Sequence, residues 1–103
     1  MTALAKSFEV AMFDIYRRAS SEIGYRPTLF LEMLTRDGGL PAAKKLIGNS
    51  PSEGYTRLWE ENRLDLSVEA VVVDNPKWHS LFTEDEIARA RARLLKYGYE
   101  PKT

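Results

Sequence analysis

The chain has 103 residues, so we expect one domain over residues 1–103, with frayed tails at residues 1–6 and 100–103. Its 15 Lys and Arg residues balance 15 Asp and Glu residues, which argues against an electropositive nucleic-acid-binding surface. The absence of cysteine excludes disulfides, thiolate zinc sites, iron–sulfur clusters and cysteine nucleophiles, and the one histidine, His79, leaves little material for metal or imidazole chemistry.

The apolar stretches of the chain are short. Lys6, Glu9 and Asp14 interrupt the N-terminal segment, so we do not expect a signal-peptide core there. No uncharged apolar stretch approaches the roughly 20 residues that a membrane span needs. We therefore expect a cytoplasmic protein that does not associate with a membrane.

The first predicted helix runs from an N-terminal cap at Ser7 to about Ile23, and Gly24 ends it. Val10 and Phe13 lie on a different side of this helix from its main apolar stripe, so we expect the helix to pack against neighbours on two faces. The main stripe follows helical spacing and contains Phe8, Ala11, Met12, Ile15, Ala19 and Ile23.

Proline and glycine residues divide the next part of the chain into two short helices. Pro27 and Pro41 suit the first turns of these helices, because a first-turn N–H would have no partner within the helix. Gly38-Gly39 ends the second helix and Gly48 ends the third.

A fourth helix is predicted to begin after Ser52 or Ser50, either of which can cap it. Tyr55, Leu58 and Trp59 follow the i, i+3, i+4 spacing of one helix face. We therefore predict that the Trp59 indole is mostly buried.

Residues 64–73 are ambiguous between strand and helix, because their valines favour extended structure. Ser67 is a good N-cap, Glu69 would complement the helix dipole from the first turn, and Asp74-Asn75-Pro76 is typical of a helix end. No other segment alternates apolar and polar residues, so a strand here would have no partner. We predict a helix.

The last predicted helix begins at Thr83, which can form a capping box with Glu86, and runs to about Tyr97, before Gly98. Together these elements predict an all-α fold. We expect a compact bundle of about five principal short helices, joined by tight connections rich in glycine, proline and serine.

His79 is the centre of an enzymatic hypothesis, in which it acts as a general base beside Ser80, oriented by Asp74 or Asp65. Side chains adjacent in sequence usually point apart, so a half-buried polar histidine in a tryptophan-containing turn is the simpler interpretation. The acidic runs of the chain lack the spacing of known metal sites. We predict no catalytic residue, no metal site and no cofactor.

Basic residues lie along one side of the last helix, with Arg89, Arg93 and Lys96 at i, i+4, i+7. They are a candidate patch for nucleic acid or an acidic partner, and a solvated helix face is the favoured alternative.

Residues 40–63 could be read as a helix-turn-helix, but the would-be recognition helix is net acidic. Residues 38–45 could cradle an anion at a helix N-terminus, although we favour a plain helix–helix connection.

Aromatic residues with polar neighbours supply the candidate interaction residues, which are Trp59, Arg63, Asp65, Trp78 and His79. Burial in the core competes with this interpretation for both tryptophans, and we place it first. We predict that Arg63 and Asp65 have a structural role between two helices. Arg63 should bind the carbonyls left unpaired at the end of the first helix, and Asp65 should make a local turn bond.

A longer pattern of residues runs through most of the chain, from about Phe8 to Tyr99. Its members are Gly38-Gly39, Ala43-Lys44, Gly54-Tyr55, Leu58-Trp59-Glu60, Arg63–Glu69, Pro76, Trp78, Leu81–Thr83, Glu86, Ala90-Arg91 and Leu94. This pattern resembles a small, recurrent bacterial helical domain of uncharacterised function. The resemblance implies a stand-alone bacterial cytosolic domain, and it implies no activity, cofactor or substrate.

These observations favour a small cytoplasmic interaction, regulatory or accessory module that has no intrinsic catalysis and binds a protein partner. One alternative is a nucleic-acid-associated protein that uses the basic side of the last helix. The other is an enzyme centred on His79.

Overall fold

A computed structural model of the chain describes residues 2–102, and every regular element in that range is helical. Two 3₁₀ segments, Leu64–Leu66 and Pro76–Leu81, flank the fifth helix. Met1 and Thr103, at the ends of the predicted frayed tails, lie outside the described residues. The α-helices are α1 (Ala3–Ile23), α2 (Thr28–Asp37), α3 (Gly39–Gly48), α4 (Glu53–Glu60), α5 (Val68–Asp74) and α6 (Glu84–Lys96).

The all-α prediction is confirmed, with 77% of the structure helical and no strand in residues 2–102. The predicted number of about five helices is too low. Gly38, with a φ of 88°, separates α2 from α3 as predicted, and residues 2–102 contain six α-helices. In addition, the stretch from Leu64 to Leu81 contains α5 and two 3₁₀ segments.

α1 begins earlier than predicted. Its N-cap is Thr2, whose hydroxyl accepts a hydrogen bond of 3.1 Å from the Ala5 N–H, and Ser7 lies inside the helix. Residues 3–6 are therefore helical rather than frayed, because the alanines there favour helix and threonine is a competent N-cap. The predicted end is confirmed, since Gly24 adopts the left-handed conformation with a φ of 67°.

α1 packs on one face only, which corrects the expectation of two. Phe8, Met12 and Ile15 of the predicted stripe are buried, whereas Val10 is 66% exposed and Phe13 is 37% exposed. The reason is that α2, α3 and both 3₁₀ segments all contact the stripe side of α1.

The centre of the core is a group of three aromatic rings. The Phe8 ring lies 5.4 Å from both the Trp78 and the Phe82 ring centroids, edge-on in each case. Such arrangements are favourable because the positive ring edge meets the negative ring face. Trp78 is only 4% exposed, so the prediction that this tryptophan belongs to the core is confirmed.

α3 crosses α1 with its first residue, Gly39, in direct contact with Glu9. A Cβ added to Gly39 would lie 2.6 Å from the Glu9 Cα, so only glycine fits. The Gly39 N–H donates a hydrogen bond of 2.8 Å to Glu9 Oε1. The N-terminus of α3 therefore binds a carboxylate of its own chain, as the macrodipole favours. Within residues 38–45, Gly38 links α2 to α3 and the rest belong to α3, so the segment joins two helices as we favoured.

Replacing Gly39 with alanine is expected to lower the free energy of unfolding by about 1–3 kcal/mol, because α1 and α3 must separate to admit the methyl group. Gly48→Ala is the matched control at the other end of the same helix, where a Cβ meets nothing within 4 Å. This control should leave stability unchanged or raise it slightly. Urea denaturation measures both values, and an equal effect of the two substitutions would contradict the close approach.

The starts of α4, α5 and α6 follow the predicted chemistry, whereas Pro27 precedes α2 as its N-cap residue and is not in its first turn. Ser52 caps α4, and Ser67 caps α5 by accepting a hydrogen bond from the Ala70 N–H, so the ambiguous segment is helical as predicted. Thr83 and Glu86 form the predicted capping box at the start of α6. These caps fix where α4, α5 and α6 begin, and thereby place the side chains described next.

Candidate binding cleft

Trp59 is 48% exposed, so the prediction that it is mostly buried is wrong. Tyr55 and Leu58 occupy the inner face of α4. Trp59 lies at the edge of that face, where its ring contacts the Tyr97 ring edge-on at 5.6 Å. The i, i+3, i+4 spacing identifies a helix face but not how far around the helix the neighbours reach, and on α4 they stop short of Trp59.

His79 is not assembled as a catalytic base. Its Nε2 lies 3.3 Å from the Val73 carbonyl oxygen. The Asp74 carboxylate instead accepts hydrogen bonds from the Tyr99 hydroxyl and from the Lys102 N–H, the latter at 2.7 Å. Neither Asp74 nor Asp65 is hydrogen-bonded to the imidazole. This geometry agrees with the simpler interpretation, in which His79 is a half-buried polar residue of a turn.

Arg63 and Asp65 are bonded to each other, with Arg63 Nε 3.0 Å from Asp65 Oδ1 and Nη2 3.1 Å from Oδ2. Arg63 Nη2 also donates to Glu22 Oε1 of α1 at 2.7 Å. Hydrogen bonds from Arg18 and Arg63 lower the pKa of Glu22 to about 2. The pair thus ties α1 to the first 3₁₀ segment, although through carboxylates rather than through the carbonyls and turn bond that we predicted.

The predicted basic patch is interrupted at its centre, because Arg93 is only 9% exposed. Its Nη1 donates a 2.6 Å hydrogen bond to Glu69 Oε2 of α5. Arg89 is also engaged, since its Nε donates to the Ile47 carbonyl at 2.8 Å, while Lys96 is exposed. Arg89, Arg93 and Lys96 therefore do not form one open surface.

Arg89 and Arg93 of α6 cap the C-terminal end of α3. Besides the bond from Arg89, the Arg93 guanidinium donates to the carbonyls of Leu46, Ile47 and Asn49. Cations at a helix C-terminus satisfy its orphan carbonyls and offset the negative end of its dipole. Sequence reasoning identified the right residues but not their targets, which lie more than forty positions earlier in the chain.

Glu69 is the buried anion that balances Arg93. Burial raises the pKa of the Glu69 carboxyl, and the hydrogen bond from Arg93 acts in the opposite direction. The Tyr55 hydroxyl donates to the Arg93 carbonyl at 3.3 Å, which joins α4 to the same group. Burial also raises the pKa of Tyr55, so the phenol stays protonated.

A cleft of about 800 Å³ opens beside this buried pair. α2 packs against α1 and α3, whereas α4 packs against the first 3₁₀ segment, and the cleft lies between the two groups of helices. Most of its lining is apolar, from Ile15, Ala19, Leu29, Phe30, Met33, Leu46, Leu58, Leu66 and Val68.

The deep wall of the cleft offers no free hydrogen-bonding group. Ser67 donates to the Leu64 carbonyl and accepts from the Ala70 N–H, and Glu69 accepts from Arg93. Across residues 2–102, no buried side-chain nitrogen or oxygen lacks a partner. An occupant of the deep wall must therefore be apolar, since a polar group there would lose its bonds to water without replacement.

The mouth of the cleft differs from its wall. Leu29, at the start of α2, is 70% exposed, and the exposed charged residues Arg26, Glu53 and Glu60 also line the cleft. Sequence analysis missed this site. The available signal was Leu29 itself, a large apolar residue outside the Phe30, Met33, Leu34 stripe of α2.

Within residues 2–102 no cluster of three or more His, Asp or Glu side chains could hold a metal ion. None of the helices described there is long and apolar enough to cross a membrane. Comparisons of the chain with profiles of known protein families, with curated proteins and with solved structures found no match.

Proposed function

We propose that the chain is a non-catalytic interaction module of the cytoplasm, and that it binds an apolar segment of a partner protein in the cleft between α2 and α4. The observation that carries this proposal is the apolar deep wall, in which every polar group is already bonded. A concave, mostly apolar site with a few polar groups at its edge is typical of binding sites.

The exposed mouth favours a protein segment over a small apolar molecule. Leu29 lines the cleft and is 70% exposed, so a small molecule inside the cleft would cover only part of this side chain, whereas an amphipathic segment lying across the mouth would cover more of it. Arg26 and Glu60 of the rim carry opposite charges, so they can pair with polar residues at the edge of such a segment. Apolar anchors within a polar rim are the usual anatomy of protein interfaces.

Site-specific photo-crosslinking in native cells tests this proposal. A benzoylphenylalanine at position 29 should capture one protein, and the same residue at position 10 should not. Val10 is the matched control because it is 66% exposed on α1 and lies outside the cleft. A synthetic peptide of the captured segment should then bind the domain, and Leu29→Glu should weaken its affinity about tenfold or more, whereas Val10→Glu should leave it unchanged.

Two results would contradict the proposal. One is an equal pattern of crosslinked proteins from positions 29 and 10. The other is peptide affinity that Leu29→Glu does not change. Capture of a lipid or metabolite at position 29, without a protein, would reassign the cleft to a small apolar ligand.

A further inference from the structure

A second, smaller pocket shares no lining residue with the cleft. It has a volume of about 110 Å³ and is formed where α4, the first 3₁₀ segment and the C-terminal end of α6 meet. This volume is that of about four water molecules, so it admits one small chemical group. Its lining is Trp59, Asn62, Leu64, Asp65, Tyr97, Gly98 and Tyr99.

Aromatic rings supply three of the lining residues. The Trp59 and Tyr97 ring planes meet at 82° with centroids 5.6 Å apart, an edge-to-face contact, and both residues line the pocket. The hydroxyl of the third ring, Tyr99, donates a hydrogen bond to the Asp74 carboxylate. This bond fixes the ring and adds electron density to it, because a phenol that donates to an anion becomes more electron-rich.

Carboxylates surround these rings. Asp65 lines the pocket, and Asp74 holds Tyr99 from behind. Burial, and then the charges of Asp74 and Asp65, raise the pKa of Tyr99. Arg63 is the basic group nearest Asp65, but it is bonded to Glu22 as well. Arg18 also donates to Glu22, so Asp65, Asp74 and Glu22 are three carboxylates beside two guanidiniums.

The rings of the pocket carry no cation of the chain. Elsewhere in residues 2–102, Tyr25, Tyr55, Trp78 and Phe82 each have a Lys or Arg group within 5.9 Å of the ring centroid. No such contact is recorded for the rings of Trp59, Tyr97 and Tyr99 over the same range. Ring faces bounded by carboxylates attract cations, and methylated ammonium groups bind best because little hydration must be removed.

We propose that this pocket binds the methylated ammonium group of an organic cation, either a free quaternary ammonium compound or a trimethylated lysine side chain. The exposure of Trp59 is then a functional feature, because the indole forms the open wall of the pocket. The site is separate from the cleft, so the two ligands can bind together.

NMR titration with choline tests the proposal, and 3,3-dimethylbutan-1-ol is the uncharged ligand of the same shape. The chain has 2 tryptophans, so its spectrum has two indole N–H signals, and Trp59→Phe assigns them. Choline should shift the Trp59 signal saturably and leave the signal of buried Trp78 in place. The alcohol should bind about tenfold more weakly, because it lacks the charge.

Trp59→Ala should weaken choline binding about tenfold while circular dichroism shows an unchanged fold. Leu95→Ala is the control, because Leu95 is 55% exposed on α6 and outside the pocket. Peptides with trimethyl-lysine or unmodified lysine distinguish the two sources of the methylated ammonium group. Tighter binding of the trimethylated peptide than of choline identifies a methylated protein. Tighter binding of choline identifies a free compound. Equal binding of choline and the alcohol, an unmoved Trp59 signal, or full affinity in Trp59→Ala would overturn the proposal.

Discussion

Replacing Arg93 with alanine is expected to lower the free energy of unfolding by about 3–5 kcal/mol, because the buried Glu69 carboxylate loses its counter-charge. The same change removes the guanidinium that binds three carbonyls at the end of α3. Lys96→Ala, on the same helix but exposed, should change stability by less than about 0.5 kcal/mol. Urea denaturation of the two variants beside the wild type measures both effects.

The deficit of Arg93→Ala should shrink in acid. Without the arginine, burial outweighs the backbone hydrogen bond that remains and raises the pKa of Glu69 in the folded state above the ordinary value of 4.5. A group with a raised folded-state pKa stabilises the fold below its unfolded-state pKa, and this stabilisation is lost as the pH rises through the folded-state pKa. Arg93→Ala should therefore be closer to wild type at pH 4 than at pH 8. If the loss of stability in Arg93→Ala is small or independent of pH, the Glu69 carboxylate is not a buried charge that depends on Arg93.

Trp78→Ala is expected to cost about 3–5 kcal/mol, the range for large aromatic residues removed from a core. Its ring packs against Phe8 at the centre of the molecule, and Phe8 is fully buried. Domains of this size have about 5–15 kcal/mol of total stability, so the variant should lose a large part of it and its melting temperature should fall by more than about 10 °C.

Trp59→Ala is the matched tryptophan control and should cost about 1–2 kcal/mol, since roughly half of the side chain is already in water and the main loss is the edge contact with Tyr97. Thermal denaturation followed by circular dichroism compares the two variants. A larger effect at Trp59 than at Trp78 would mean that the assignment of core and surface tryptophans is reversed.

Local chemistry explains why so many helix ends could be predicted from the sequence. Ser67, Thr83 and Gly24 act through bonds to residues within a few positions, so their neighbours in sequence determine the outcome. The same reasoning failed at the start of α1. Thr2 and Ser7 are both competent caps, and the helix begins after Thr2, the one nearer the N-terminus.

Features that depend on distant residues could not be predicted. Arg93 on an otherwise basic helix side has the sequence pattern of a solvated residue, and its burial follows from where α3 ends and where α5 places Glu69. The cleft depends in the same way on the separation of α2 from α4. Trp59 and Trp78 have equal apolar character in the sequence, and only the packing of α4 and of the second 3₁₀ segment distinguishes them.

The most direct test of the cleft as the binding surface is an NMR titration of the ¹⁵N-labelled domain with the segment captured at position 29. We predict that the amide signals of Ala19, Met33 and Gly54 shift together, because these residues line the cleft from α1, α2 and α4. Shifts centred instead on His79, or on Arg89 and Lys96 of α6, with the cleft amides unmoved, would contradict the account.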